Sequence, residues 1–283
     1  MSANVLKIII LIQQIIALHC FDYKHVDQWK NEFPMCGGRR QSPININLTG
    51  NVKKFLTDTI KLNDYWRTPL EMTLTNDGHS VKLTTKWPDN SIPNLSGGLR
   101  GRSEYLFDSL HFHWSRTDDS GTEHSIDRRR FALEMHIVHY NKKYGSILNA
   151  VNRFDGLTVI GLIFQINDAD DSTLSPIVTQ LRHVTKKGET VKINPFPLSI
   201  FDLDTEDMFI TYEGSLTTPP CSETVTWLLT QNYRYVTNEQ IKTFRQIKLD
   251  NGDEENVRPI QPINQRLHYF VPLDSNFIIQ IKH

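Results

Sequence analysis

His111-Phe112-His113 sets two imidazoles one residue apart, and His136 follows on a second extended run, Glu134-Met135-His136-Ile137-Val138-His139. A β-strand sends alternate side chains to one face, so His111 and His113 project together while Leu110, Phe112 and Trp114 project the other way. If a neighbouring strand presents His136 at the same depth, three neutral nitrogens converge, and a tetrahedral zinc ion held by them keeps its fourth position for water. An open position means chemistry, since structural zinc sites close all four positions with protein ligands. The triplet also occurs in metallo-hydrolases and cupin barrels. Here no Asp-His pair follows His113 two residues on, as in metallo-β-lactamases, and Trp114-Ser115-Arg116-Thr117 supplies no early glutamate, as in cupins. With 11 histidines in the chain, a single one argues nothing; the spacing separates these three from the rest.

The elements that must hold them read mostly as short extended runs separated by turn residues: 81–85, 105–114, 131–140, 157–166, 224–230 and 269–271, with a last strand over 277–281. Helical signals are few. Ser175-Pro176 followed by Ile177, Val178, Leu181 and Val184 offers a cap, a first-turn proline and an apolar stripe. Thr237-Asn238-Glu239-Gln240 opens another helix, with Ile241 and Phe244 on one face. The expected fold class is mainly β with short peripheral helices, one domain built on a large central, mostly antiparallel twisted sheet.

The 283 residues, 39% hydrophobic, suffice for a large core, and no linker or internal repeat divides them. Lys and Arg number 31 against 32 Asp and Glu, so no net field favours nucleic acid or an anionic membrane. Residues 1–20 differ: Lys7 precedes Ile8-Ile9-Ile10-Leu11-Ile12, Gln13-Gln14 interrupts, and Ile15-Ile16-Ala17-Leu18 leads to Cys20. The stretch falls short of the roughly 20 apolar residues of a membrane span and reads as a secretory signal peptide. The expected division is signal 1–20 and one catalytic domain 21–283, secreted, with no membrane span in the mature chain. If Cys20 leaves with the signal, Cys36 and Cys221 remain as an even pair for a disulfide, two buried thiols being the alternative. In a secreted chain, Asn47-Leu48-Thr49 and Asn94-Leu95-Ser96 are glycosylation candidates at Asn47 and Asn94.

Ser109-Leu110-His111-Phe112-His113-Trp114, Glu123-His124, the Glu134 to His139 run and Ser215-Leu216-Thr217-Thr218-Pro219-Pro220 together resemble the α-class carbonic anhydrases. Gln41-Ser42-Pro43-Ile44-Asn45-Ile46, Asn76-Asp77-Gly78-His79 and Asn256-Val257-Arg258-Pro259 agree in order, and the Cys36/Cys221 pair resembles the extracellular branch. The resemblance implies zinc-dependent, reversible hydration of carbon dioxide to bicarbonate and a proton, by zinc-hydroxide attack. It implies Zn2+ on His111, His113 and His136, with Glu134 holding the His136 ring. Thr217 would orient the hydroxide and pass its own hydrogen to Glu123. Val138, Val159, Leu216, Thr218 and Trp227 would form the carbon dioxide pocket, His79 would shuttle the proton, and Tyr23 would order its waters. A histidine suits proton transfer because its ordinary pKa lies near neutrality.

Four positions depart from that family's pattern. Ser109 stands where a glutamine commonly supports the first zinc histidine, which predicts weaker retention of the metal. Asp77 and Lys82 replace two asparagines of the water network, and Phe21 replaces a tryptophan beside His79.

Overall fold

The computed structural model describes residues 21–48, 55–88, 91–167, 172–203 and 208–274. The expected signal segment 1–20 and the expected last strand 277–281 lie outside the described residues. Fourteen strands are described: β1 (Asn45–Ile46), β2 (Ile60–Asn63), β3 (Glu71–Asn76), β4 (Val81–Lys86), β5 (Asn94–Gly97), β6 (Tyr105–Trp114), β7 (Ser125–Ile126), β8 (Leu133–Asn141), β9 (Leu157–Ile166), β10 (Thr190–Ile193), β11 (Met208–Gly214), β12 (Val225–Thr230), β13 (Arg234–Val236) and β14 (Tyr269–Pro272). Twelve of them make one sheet, whose main path runs β10-β3-β4-β6-β8-β9-β12-β11-β14. Its pairs are antiparallel except where β9 meets β12 and β13 in parallel. Helices are short and lie outside the sheet, so the expected mainly-β class holds.

Each long central strand has apolar residues on both faces, and the two faces build two cores. One takes Leu110, Phe112, Trp114, Met135, Ile137, Ile160, Leu162 and Phe164, together with the short helices at Ile177 and Phe244. Each such fully buried side chain contributes roughly 1.5–3 kcal/mol. The other takes Val138, Val159, Ile163, Val225 and Trp227. The functional side chains share this second face.

Strand β6 would not present them there without an irregularity. Tyr105 and Phe107 point into the first core, and so do Leu110, Phe112 and Trp114; strict alternation cannot serve both sets. The register shifts between Phe107 and Ser109, leaving Asp108 as the extra residue of a β-bulge. Beyond the bulge, Ser109, His111 and His113 face the second side.

The helix expected at Thr237 is present as Asn238–Phe244, closed by a full capping box between Thr237 and Gln240. The one expected at Ser175 is shorter than its apolar stripe: α-helix covers Ser175–Val178, its cap is Leu174, not Ser175, and a 3-10 turn over Leu181–His183 continues the stripe. Cys36 and Cys221 are disulfide-bonded.

Candidate metal centre and its cavity

Cross-strand register brings the three histidines together. His111 lies opposite His136 on β8, and His136 lies opposite Gly161 on β9. Gly161 leaves room here: a Cβ there would sit 2.6 Å from Leu229 Cδ2, so that side chain would have to shift. The ring centroids are separated by 5.0 Å for His111 and His113, 5.2 Å for His111 and His136, and 4.5 Å for His113 and His136. One nitrogen from each lies within 4.8 Å of the others.

Two of the rings are held with one nitrogen spent and the other turned inward. His113 Nδ1 donates to the Asn256 carbonyl at 2.7 Å, and its Nε2 is buried with no hydrogen-bond partner among the described residues. His136 Nε2 donates to Glu134 Oε1 at 2.7 Å, which leaves its Nδ1 on the inner side. An unpartnered imidazole nitrogen in a dry interior costs free energy unless something ligates it. Burial pushes the His111 ring well below its ordinary pKa, helped by His113, His136 and Lys82, and burial also lowers His136. Neutral imidazoles are the form that binds a metal. Three converging imidazole nitrogens, one of them buried without a hydrogen bond, fit a zinc ion.

A second trio, His124, Glu134 and His136, also has ligand atoms within 4.8 Å. Its donors are already used. Glu134 Oε1 accepts from His124 Nδ1 at 2.7 Å as well as from His136, Oε2 accepts from the His124 backbone N–H at 2.8 Å, and Tyr212 OH donates to His124 Nε2 at 2.6 Å. Ser42 Oγ completes the chain to Tyr212 at 2.9 Å. Burial pushes the Glu134 carboxyl up, but His124 and His136 beside it win and hold it well below the ordinary range. This trio is the anchor of one ligand.

Glu123 is fully buried. Its Oε1 accepts from the Arg258 backbone N–H at 3.0 Å, while its Oε2 has no partner among the described residues and lies 3.5 Å from His113 Nε2. The Thr217 to Glu123 contact implied by the family resemblance is therefore not made in this structure, though Thr217 is buried. Arg258, which the sequence offers only as part of a motif, is a buried hub: its guanidinium donates to Gln41 Oε1, the Ser42 carbonyl and the Cys36 carbonyl.

A cavity of about 240 Å³ opens onto His111 and His113. Val138, Leu216 and Thr218 line it as expected, with Ile147, Val151 and Leu157, which the sequence did not single out. Val159 and Trp227 stand in the next places of the Val138 row, buried behind that wall, and the Trp227 ring meets His136 edge-on with centroids 4.7 Å apart. Tyr23, Asp77, His79, Lys82 and Ser109 line the same cavity, Ser109 directly across the strand pair from Val138. Ser109 Oγ donates to Asp108 Oδ2 at 2.7 Å, so its hydroxyl is directed away from His111. Asp77 forms a turn: its Oδ1 accepts from the backbone N–H groups of His79 and Ser80. Lys82 lies 4.0 Å from Asp108. Phe21 stacks on the His79 ring, centroids 4.0 Å apart and planes 14° from parallel, and Tyr23 OH is buried without a partner among the described residues. Of the sequon asparagines, Asn47 is exposed, whereas Asn94 is half-buried and accepts from Asn63 at 2.9 Å.

Comparison with known proteins agrees with this geometry. The family model described as eukaryotic-type carbonic anhydrase matches residues 24–270. Carbonic anhydrase 6 of Mus musculus is 33% identical over 259 residues, covering 89% of this chain and 78% of that protein. Carbonic anhydrase 7 of Mus musculus is 33% identical over 261 residues, covering 88% and 96%, and carbonic anhydrase 6 of Bos taurus is 32% identical over 270 residues, covering 91% and 78%.

Proposed function

The chain belongs to the eukaryotic-type carbonic anhydrase family, an enzyme family of carbon dioxide hydration, and from that premise we propose that it binds Zn2+ on His111, His113 and His136 and shuttles the product proton through His79. The observation that carries this reading is the convergence of three imidazoles beside a partly apolar cavity, His113 Nε2 being buried without a hydrogen bond. When bound, zinc supplies the Lewis acidity that ionises water near neutral pH, a property for which carbonic anhydrases are the standard example.

The protein's part is orientation and proton handling. Glu134 and the Asn256 carbonyl fix the tautomers and angles of His136 and His113. Thr217 would accept a hydrogen bond from the nucleophile and, once turned to Glu123 Oε2, the carboxylate oxygen that has no hydrogen bond here, would donate its own hydrogen to it. That fixes which lone pair meets the substrate. Val138, Leu216 and the apolar residues behind them suit carbon dioxide, which is small, uncharged and weakly held. Bicarbonate leaves to solvent, and His79, half-buried on the wet wall, takes the proton and passes it to buffer.

We further read residues 1–20 as a signal peptide and 21–283 as a secreted catalytic domain. The disulfide supports an oxidising compartment, and exposure of Asn47 supports a glycan there. Among the described residues no helix is long and apolar enough to cross a membrane.

Metal analysis and rapid-mixing hydration assays on the wild type and His111→Ala test the central claim. Wild-type protein should hold zinc and hydrate carbon dioxide, and the variant should lose both. A zinc-free, inactive wild type would instead mark a catalytically silent binding protein.

A further inference from the structure

Strands β4 and β6 are paired over Thr84 to Ser109, Leu83 to Leu110 and Lys82 to His111, and there the ladder stops. Just past that point β4 turns into the Asp77-Gly78-His79-Ser80 loop, and two side chains replace the ladder. Ser80 Oγ donates to the Phe112 carbonyl at 2.5 Å and accepts from the Phe112 N–H at 3.1 Å. Asn256 Nδ2 donates to the same carbonyl at 2.8 Å and to the His79 carbonyl at 2.9 Å. Asn256 Oδ1 meanwhile accepts from the Trp114 N–H at 2.8 Å. Both residues are buried.

The Phe112 peptide lies between His111 and His113. The two side chains therefore tie the backbone of the His79 loop to the backbone that carries two of the three imidazoles. From the other side, Gly78, at φ +93°, packs on Asp250, and the Asp250 N–H donates to the Gly78 carbonyl at 2.7 Å. The His79 backbone is thus held at its N–H by Asp77 and at its carbonyl by Asn256, while its ring stacks on Phe21 at the cavity.

We propose that Ser80 and the side-chain amide of Asn256 are positioning residues for proton transfer, a staple that fixes the distance between His79 and the metal-holding strand. This rests on the reading of His79 as the proton carrier. Transfer through a short file of waters depends steeply on that distance, whereas attack on carbon dioxide does not use His79 at all.

Ser80→Ala removes the hydroxyl with little change in volume. Stopped-flow hydration in weak buffer should show its kcat falling about threefold to tenfold, with kcat/KM changed by less than about twofold and kcat restored by added imidazole. Ser80→Thr, which keeps the hydroxyl, should retain the wild-type kcat. In zinc-free protein, the Phe112 amide should exchange its hydrogen faster in Ser80→Ala than in the wild type. His79→Ala is measured alongside. If it lowers kcat in weak buffer and Ser80→Ala does not, the staple is refuted and the shuttle stands. A parallel fall of kcat and kcat/KM that imidazole does not relieve also refutes the staple, by showing a structural effect. Unchanged kcat in His79→Ala refutes the shuttle itself.

Discussion

At the residue scale the site shows which neighbours can be read from local pattern and which cannot. The histidines are legible because a period of two puts them on one face, and Glu134 is legible two places before His136 for the same reason. Asn256 and Arg258 are not, because they act through contacts more than a hundred residues away, and one of the most important, the Asn256 carbonyl, is common to every residue type. Ser109 is a different case. The sequence shows the missing glutamine, but only the structure shows that the hydroxyl turns to Asp108. Among the described residues, His113 and His136 each have a protein acceptor on the outer nitrogen. Ser109→Gln should supply one for His111 and slow zinc loss to a chelator such as dipicolinate by about tenfold, the lower end of what outer contacts are worth. An unchanged rate of loss would show that His111 has no need of that support.

At the element scale, strands 105–114 and 157–166 are readable because they are long and apolar on both faces, and the helix at Thr237 because its cap is local. Strands β3, β10 and β11 escape notice: they are short or broken by charged and polar side chains such as Glu71, Lys192 and Glu213, and pairing with their neighbours fixes them. The bulge at Asp108 was written in the sequence as a slip of phase, core residues at 105 and 107 giving way to 110, 112 and 114. Strand β8 carries a further histidine in the fully buried His139, which accepts from Tyr65 OH at Nε2 and donates from Nδ1 to the Thr158 carbonyl. Burial lowers its pKa to about 3. In the unfolded chain it titrates near its ordinary value of about 6.5. The neutral ring therefore stabilises the fold fully above about pH 6.5, and that stability drains away as pH falls toward 3, because the unfolded chain takes up a proton that the folded one refuses. Denaturant unfolding from pH 7 to 4 should show this as a slope of up to about 1.4 kcal/mol per pH unit that His139→Phe lacks. Equal slopes in the two proteins would exclude His139 as the source.

At the scale of the whole molecule, the disulfide and Gln41 tie the loop before β1 to the loop before β12, and Arg258 ties the first of these loops to the buried Glu123. The bridge spans 185 residues of sequence. Constraint of so long a loop in the unfolded chain is worth up to roughly 5 kcal/mol. Cys36→Ser with Cys221→Ser should lower unfolding free energy by about 2–5 kcal/mol in urea titrations, and a loss under about 1 kcal/mol would mean that Gln41 and Arg40, bonded to the Cys221 carbonyl and Glu223, hold the two loops unaided. The single-sheet architecture was legible from the many short strands, but the convergence of distant loops was not, since nothing local in either loop specifies its partner. That convergence has a bearing on synthesis. His113 emerges from the ribosome long before residue 256, whose carbonyl orients it, so a nascent chain carries the three histidines without the acceptor that selects the tautomer of one of them. If zinc binds as proposed, its capture in the mature geometry would follow translation of nearly the whole domain, and a truncated chain ending before residue 256 would lack the acceptor that orients His113.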